Sequence, residues 1–308
     1  MKTTWEHLPR AQWDELHFAQ QGALQQSWAY GDALASLGVD IRRAMVWQDG
    51  RLLAIAQFMC KRMVGYISLA SCTRGPVWHP DVQADQRAVI YKLLRQSIPL
   101  ARLKVVLFSP DGTAQQLDAA ELRGLSRVMT GYSTVLLDLT VPQTRLKAQM
   151  DGKWRNRLTK ALANGKIRLH VQPSSKRCDW LLGKELAQRE AKKFHGLPTN
   201  FVNAFIQAHT DPKQAFVVAY AEVGKNTVAA MLFLIHGRAA SYHMGWADEE
   251  GRQLNTHNAL LWQSMLYLQA QGIEVLDLGG VNTHDLPGIS RFKLGTGGRA
   301  VTLAGTYF

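Results

Sequence analysis

Near the end of the chain, "PGISRFKLGTGG" (Pro287 to Gly298) follows "EVLDLGGVNTHD" and sets Arg291 and Lys293 into a glycine-rich segment. A cation fixed beside a cleft stabilises the oxyanion of an acyl transfer, an effect of about 3–4 kcal/mol per donor in other enzymes. A phosphate cradle is the competing chemistry. The order GxxxxGK[ST] leading into a helix is absent, however, and so is the dinucleotide fingerprint. Gly279, Gly280, Gly295, Gly297 and Gly298 read either as turns shaping a cleft at strand ends or as tight structural turns. His284 beside Asp285 resembles a dyad on paper, but adjacent residues do not orient one another as a triad needs, and no GxSxG elbow accompanies them. Neither HExxH nor paired ligand spacing occurs, so no metal site is expected.

A second group of cations lies in "DGKWRNRLTKALANG" (Asp151 to Gly165). Between Asp151 and Lys193 there are twelve Lys or Arg against four acids, so a local excess of eight carries two thirds of the net charge of +12. Clustered cations neutralise phosphates and gain from counterion release, which favours an anionic partner. Helical spacing puts Lys153, Arg157 and Lys160 on one face. With Arg155, and with Trp154 as a ring able to stack on a base, they are candidate contacts to a nucleic acid or a phosphorylated ligand, and the resemblance described below implies tRNA. The plainer readings are a solvated helix face, and Trp154 packed under a domain junction.

The elements that must position these residues follow from periodicity. "LQQSWAYGDALASLG" reads as a helix, "IRRAMVWQ" and "RLLAIAQFM" as a hairpin on the turn Asp49–Gly50, and "YISLASCTRGPVW" as a third strand. A helix, the strand "KVVLFSP", a helix over about 118–129 and the strand "STVLLDLT" follow. The second half runs through one long helix from Gln143 to Gly165, the strand "IRLHVQP", two helices, a three-strand meander, the helix "NTHNALLWQSMLYLQAQG" and the strand "IEVLDLGG". Both halves thus run hairpin, third strand, helix, apolar strand. A repeated order of this kind predicts an α/β (α+β) chain of two tandem acyltransferase domains of the acetyltransferase (GNAT) type, each a mixed, mostly antiparallel sheet flanked by helices. The expected division is 1–140 and 141–298, with 299–308 returning to the first domain.

At 308 residues and 46% hydrophobic content the chain can fill such cores. Its longest apolar run, Val228 to Ile235, is far short of the roughly 20 residues a membrane span needs. The start has no apolar signal-peptide core, and Cys60, Cys72 and Cys178 show no CxxC spacing. A cytoplasmic protein with reduced, packed cysteines is expected.

Four segments carry a resemblance to the Fem family, the transferases that take an amino acid from aminoacyl-tRNA and build side-chain bridges on peptidoglycan precursors. They are "LQQSWAYGDAL", "TRGPVW", "DGKWRNRLTKALANGKIRL" and "LDLGGVN" with "PGISRFKLGTGG". The resemblance implies two GNAT-like domains, aminoacyl-tRNA as co-substrate with no further cofactor, and an amine acceptor in a cleft. It implies Lys293 as the cation at the oxyanion, the Phe292 carbonyl as partner of the attacking amine, and Arg74, Trp28, Tyr242 and Arg291 as substrate contacts. No insertion fits the coiled-coil arm of members that act on lipid precursors. Arm-less members that bind a UDP-linked precursor carry a Lys after the "QSW" segment and an Arg near the counterpart of "FHGLPTNFVNAF". Neither cation is present here, which weakens a UDP-muramyl peptide and leaves another small amine as acceptor. The alternative is an acyl-CoA-dependent N-acyltransferase, although the stretch nearest to its Q/RxxGxG/A loop, "EEGRQLNTH", has Arg252 without the glycines.

Overall fold

The computed structural model describes the chain apart from residues 64–66, 101–102, 193–196, 199 and 285, with side chains of 188–192 also set aside. Asp285 of the His284–Asp285 pair and part of "FHGLPTNFVNAF" therefore lie outside the described residues. Two compact units result, Met1–Tyr132 with Val301–Phe308, and Ser133–Ala300.

In the first unit β1 (Lys2–Thr4) and α1 (Arg10–Ala19) precede α2 (Trp28–Ser36), β2 (Asp40–Gln48), β3 (Arg51–Arg62), β4 (Ile67–Thr73), β5 (Val77–Trp78), α3 (Ala84–Ser97), β6 (Leu103–Ser109) and β7 (Arg127–Met129). The β2–β3 hairpin forms because Asp49 and Gly50 both take positive φ, 51° and 79°, the geometry of a two-residue turn that matches strand twist. β4 and β6 pair in parallel at all seven positions from Ile67↔Leu103 to Thr73↔Ser109, with α3 as the crossover between them. Phe58, Tyr91, Leu94 and Phe108 fill the core between α3 and the sheet. The expected helix over 118–129 does not form. Arg127–Met129 instead pairs with a strand from the far end of the chain, and Ser126 exchanges backbone hydrogen bonds with Phe308, a partner that local periodicity does not report.

The "LQQSW" segment is held by a buried amide network. Gln26 Nε2 donates to the carbonyls of Gln57 (3.2 Å) and Thr73 (2.9 Å), while its Oε1 accepts from the Gln57 N–H at 2.8 Å. The Gln57 side chain in turn donates to the carbonyls of Gln25 and Ser27. Gly75 of "TRGPVW" packs onto Gln26 so closely that a Cβ there would overlap the amide, so this glycine is required by contact distance.

The second unit contains β8 (Ser133–Asp138), α4 (Gln143–Gln149), α5 (Gly152–Leu162), β9 (Ile167–Gln172), α6 (Ser175–Lys192), α7 (Asn200–Ala208), β10 (Phe216–Val223), β11 (Asn226–His236), β12 (Ala239–Ala247), α8 (Glu249–Gln253), α9 (Thr256–Ala270), β13 (Val275–Gly280), α10 (Pro287–Leu294) and β14 (Arg299–Thr302). Its sheet runs β14-β8-β13-β12-β11-β10-β9, and β15 (Thr306–Tyr307) pairs with β6 and β7 of the first unit. The boundary therefore falls at Tyr132 rather than at residue 140, because β8 pairs with β13, from Leu136↔Asp277 to Asp138↔Val275. Alternation in "STVLLDLT" identified a strand but not its partner. The long helix expected from Gln143 to Gly165 is two, since Asp151 interrupts it and caps α5 by accepting from the N–H groups of Lys153 and Trp154. No described helix is long and apolar enough to cross a membrane.

The amide network generates a stability prediction. Gln26→Leu leaves the Gln57 N–H and the Thr73 carbonyl unpaired in the interior, and buried orphan groups cost about 1–3 kcal/mol each. The urea midpoint of the variant falls by the equivalent of about 2–4 kcal/mol, whereas Gln25→Leu, which removes a half-buried amide whose Oε1 has no hydrogen-bond partner, changes it little.

Candidate functional site

"PGISRFKL" is helical rather than a loop, a correction to the turn reading of this segment. Pro287 occupies the first turn of α10, where its missing N–H costs nothing, and Gly295 ends it. The helix lies behind β13, and its inward face carries Lys293, which is 7% exposed. Lys293 Nζ donates to the Gly280 carbonyl on β13 at 2.8 Å and lies 5.7 Å from the Tyr242 ring centre on β12.

Those two strands part at this place. β12 and β13 are paired only from Ala239↔Val275 to Ser241↔Asp277. A bulge between the β11 residues Leu232 and Phe233 leaves His243 without a cross-strand position and re-aims the rest of β12. Lys293 thus bridges the strands just past the last paired residues. Asp277, which ends the pairing, accepts from Thr134 Oγ1 at 2.5 Å and from the Gly279 N–H at 2.8 Å. Gly279 has φ 72°, a conformation that ordinary side chains resist, and this turns the chain so that the next carbonyl meets Nζ. Burial lowers the Lys293 pKa from its ordinary value, and the charge of Asp277 partly restores it. Burial alone pushes the Tyr242 hydroxyl up to about 12, so it stays protonated. An ammonium has three N–H groups, and with one on Gly280 two can face a developing oxyanion.

The neighbouring carbonyl of Phe292 is one of the last four of α10, which have no partner within the helix. It accepts from Trp154 Nε1 at 3.0 Å, and the two rings lie 5.8 Å apart. A carbonyl has a second lone pair, so this bond leaves one acceptor site for an amine. The Asp151 N–H donates to the Gly295 carbonyl at 2.9 Å, giving a second link between the start of α5 and the end of α10. Trp154 is only 3% exposed and belongs to the core, which corrects its reading as a base-stacking ring. The spacing that puts Trp154, Leu158 and Ala161 inward puts Lys153, Arg155, Arg157 and Lys160 outward, where all four are exposed. Arg155 also reaches the Ala148 carbonyl. Arg291 is exposed on the outer side of α10.

The first-unit candidates behave differently. One face of Trp28 is covered by the Arg43 guanidinium at 4.0 Å, and the ring meets Trp13 edge-on at 5.6 Å. Arg43 is itself fixed by Asp32, the Trp28 carbonyl and Gln57. Trp28 is thus half-buried, with packing against Arg43 and Trp13 holding its ring. Arg74 is buried and donates from Nε to Asp111 Oδ1 at 2.7 Å. His236 and His257 hold Ser241 Oγ and the Trp246 carbonyl respectively, and His243 packs near Phe201. Asp277 stood inside the quoted "LDLGG" and was passed over. Thr134, 143 positions away, left no signal in the sequence.

Residues 149–294 match the family model of an acetyltransferase (GNAT) domain. The matched residues all lie within the second unit. The whole chain superposes on FemX with a TM-score of 0.82 at 14% identity, covering 100% of this chain and 96% of FemX. L-PGS from Bacillus licheniformis follows at 0.55 and 13%, covering 97% of this chain and 91% of that one. A tandem GNAT protein from the clavulanic acid biosynthesis pathway superposes at 0.51 and 13%, with 99% and 98% covered. No curated protein matches by sequence. At these identities the likeness concerns fold: the chain is a tandem GNAT-like protein, similar to FemX along its length. Fold and family model together support an acyltransferase.

The packing of Trp154 yields a test that separates its two readings. Trp154→Phe removes the donor to Phe292 and lowers unfolding free energy by about 1–3 kcal/mol in urea titration, while RNA affinity stays within about twofold. Lys153→Ala and Arg157→Ala do the reverse, leaving stability alone and each reducing the salt slope of RNA binding by about one.

Proposed function

We propose that this chain is an aminoacyltransferase that moves an amino acid from aminoacyl-tRNA to an amine acceptor, forming an amide. The observation that carries the reading is Lys293, a buried cation held across the parted strands β12 and β13 with two N–H groups that have no partner among the described residues. The exposed cations of α5 support an RNA donor, because Trp154 and Asp151 fasten that helix to α10 and so fix its basic face relative to Lys293. In this reading the neutral amine of the acceptor, its N–H accepted by the Phe292 carbonyl, attacks the ester carbonyl of the donor. The C–N bond forms, the oxyanion develops against Lys293 Nζ, and the C–O bond to the ribose breaks as the nitrogen loses its proton and the ribose oxygen gains one.

The acyl-CoA alternative needs a glycine-rich loop after β12 whose backbone N–H groups meet a diphosphate, and the stretch "EEGRQLNTH" lacks those glycines. Its Arg252 already donates from Nη1 to the Ala247 carbonyl at 2.7 Å and from Nε and Nη2 to Glu249. This favours the tRNA reading.

Incubation with charged total tRNA and a small-metabolite extract, read by mass spectrometry, is expected to yield new aminoacylated amines. Lys293→Ala cuts the rate about 10²–10³-fold with the fold intact, the loss typical of one oxyanion donor. Full activity in that variant, or transfer from acetyl-CoA but not from tRNA, defeats the reading.

A pH profile gives a second check. Lys293 must be protonated to act, and burial lowers its pKa below the ordinary 10.5. The rate therefore falls on the alkaline side before an ordinary lysine would titrate. Stability runs the other way: the unfolded chain binds the proton more tightly, so as pH rises between the folded and unfolded pKa values this residue's contribution becomes less unfavourable. Denaturant unfolding followed in parallel separates loss of activity from loss of fold.

A further inference from the structure

The first unit holds a cavity of about 170 Å³ walled by Gln20, Arg74, Trp78, His79, Arg87 and Asp111. It lies where β4 and β6 end: Arg74 directly follows β4, and Asp111 stands two residues after β6. The carboxyl ends of parallel strands are where α/β sheets receive ligands, since the crossover chain leaves a crevice there. The size is below the roughly 300–1,000 Å³ of drug-sized pockets, which limits the occupant to a small molecule.

The polar groups on its walls are of both signs, and each pair is only half used. Arg87 donates from Nε to the Val82 carbonyl at 3.1 Å and from Nη1 to Glu121 at 3.1 Å, and its guanidinium rests 5.4 Å from the Trp78 ring centre. Its Nη2 has no partner among the described residues. Asp111 accepts from Arg74 through Oδ1, and its Oδ2 likewise has none. Neither atom is sealed from solvent. One cavity is therefore lined by a cation and an anion, each held by its other bonds and each with a polar atom that has no partner among the described residues. Arg74 adds a second sign of a built site. It takes φ 53°, unfavourable for a residue with a Cβ, and such strain persists only where the surroundings enforce it.

We propose that this cavity binds a small zwitterion, a free α-amino acid, with its carboxylate on Arg87 Nη2 and its ammonium on Asp111 Oδ2. The inference does not rest on the transfer reading, and it stands or falls by binding alone.

Calorimetric titration of the full chain with glycine, L-alanine and L-serine, against acetate and ethylammonium as single-charge controls, tests it. The amino acids are expected to bind at least tenfold more tightly than either control. Gln20→Trp, which plugs the mouth from an exposed position outside the ion pairs, is expected to abolish binding with the melting temperature unchanged. Asp111→Asn keeps the shape and is expected to weaken amino acids at least tenfold while leaving acetate unaffected. Absence of binding by any of the three amino acids, equal binding of acetate, or undiminished binding by the Gln20→Trp variant overturns the proposal. If transfer from tRNA fails while amino acids bind, only the transfer reading is lost.

Discussion

The charge of Lys293 is the constraint on which the second unit is arranged. An ammonium taken out of water costs several kcal/mol unless its protons and its charge are met. Here one proton goes to the Gly280 carbonyl, the Tyr242 ring offers its face, and Asp277 stands near enough to hold the pKa up against burial. Each of these requires something further. The Gly280 carbonyl points correctly because Gly279 has a left-handed conformation, Asp277 is oriented by Thr134, and Tyr242 is available because the bulge in β12 ends its pairing with β13. The site is thus a consequence of strands that fail to stay together, with a cation placed in the opening.

The same order of elements in the first unit gives a different result. β4 and β6, the counterparts of β12 and β13 in that order, remain paired through seven positions, so no opening forms between them. Three polar residues of that unit serve its own architecture: Gln26 and Gln57 tie the segment before α2 to β3 and β4, and Arg43 closes over Trp28. Two residue groups quoted for a family resemblance, "QSW" and "RGP", are therefore structural in large part. Their recurrence in a family would follow from the amide network as readily as from contact with a substrate.

Which features could be read from the chain depends on whether their causes were local. The tandem plan was legible because hairpin turns, helix periodicity and apolar strands are each written in short windows. Lys293 was legible because a cation after an apolar strand end is conspicuous, and Lys153, Arg157 and Lys160 because a 3.6-residue period puts them together. Trp154 carried an ambiguity that only packing resolves, since the same spacing that groups the cations outward sends the indole inward. The partner of β8, the link from Thr134 to Asp277 and the pairing of Arg127–Met129 with the chain's last strand depend on contacts across more than a hundred residues, to which periodicity is blind. The break between α4 and α5 was in principle readable: Asp151 followed by a glycine and a helix former is a cap signal, overridden in the sequence reading by the apolar spacing around it.

In the proposed reading, the choice of donor rests less on the fold than on where the cations lie. A parted sheet with a helix behind it accepts an acyl group from either a thioester or an ester, because the oxyanion it must stabilise is the same. The carriers differ in where their phosphates run. A compact diphosphate needs one anion site close to the opening, and the stretch after β12 lacks the glycines of such a site, its Arg252 in α8 being held by Glu249 and the Ala247 carbonyl. A nucleic acid needs a line of weaker, exposed charges extending away from it. Lys153, Arg157 and Lys160 form such a line, exposed and without side-chain partners among the described residues, on a helix whose first turn is fastened to the end of α10 through Trp154 and Asp151. The buried indole packs against Phe292 while the cations of the same helix stay on its outward face. Trp154 thus holds, from the inside, the helix whose outward face carries Lys153, Arg157 and Lys160.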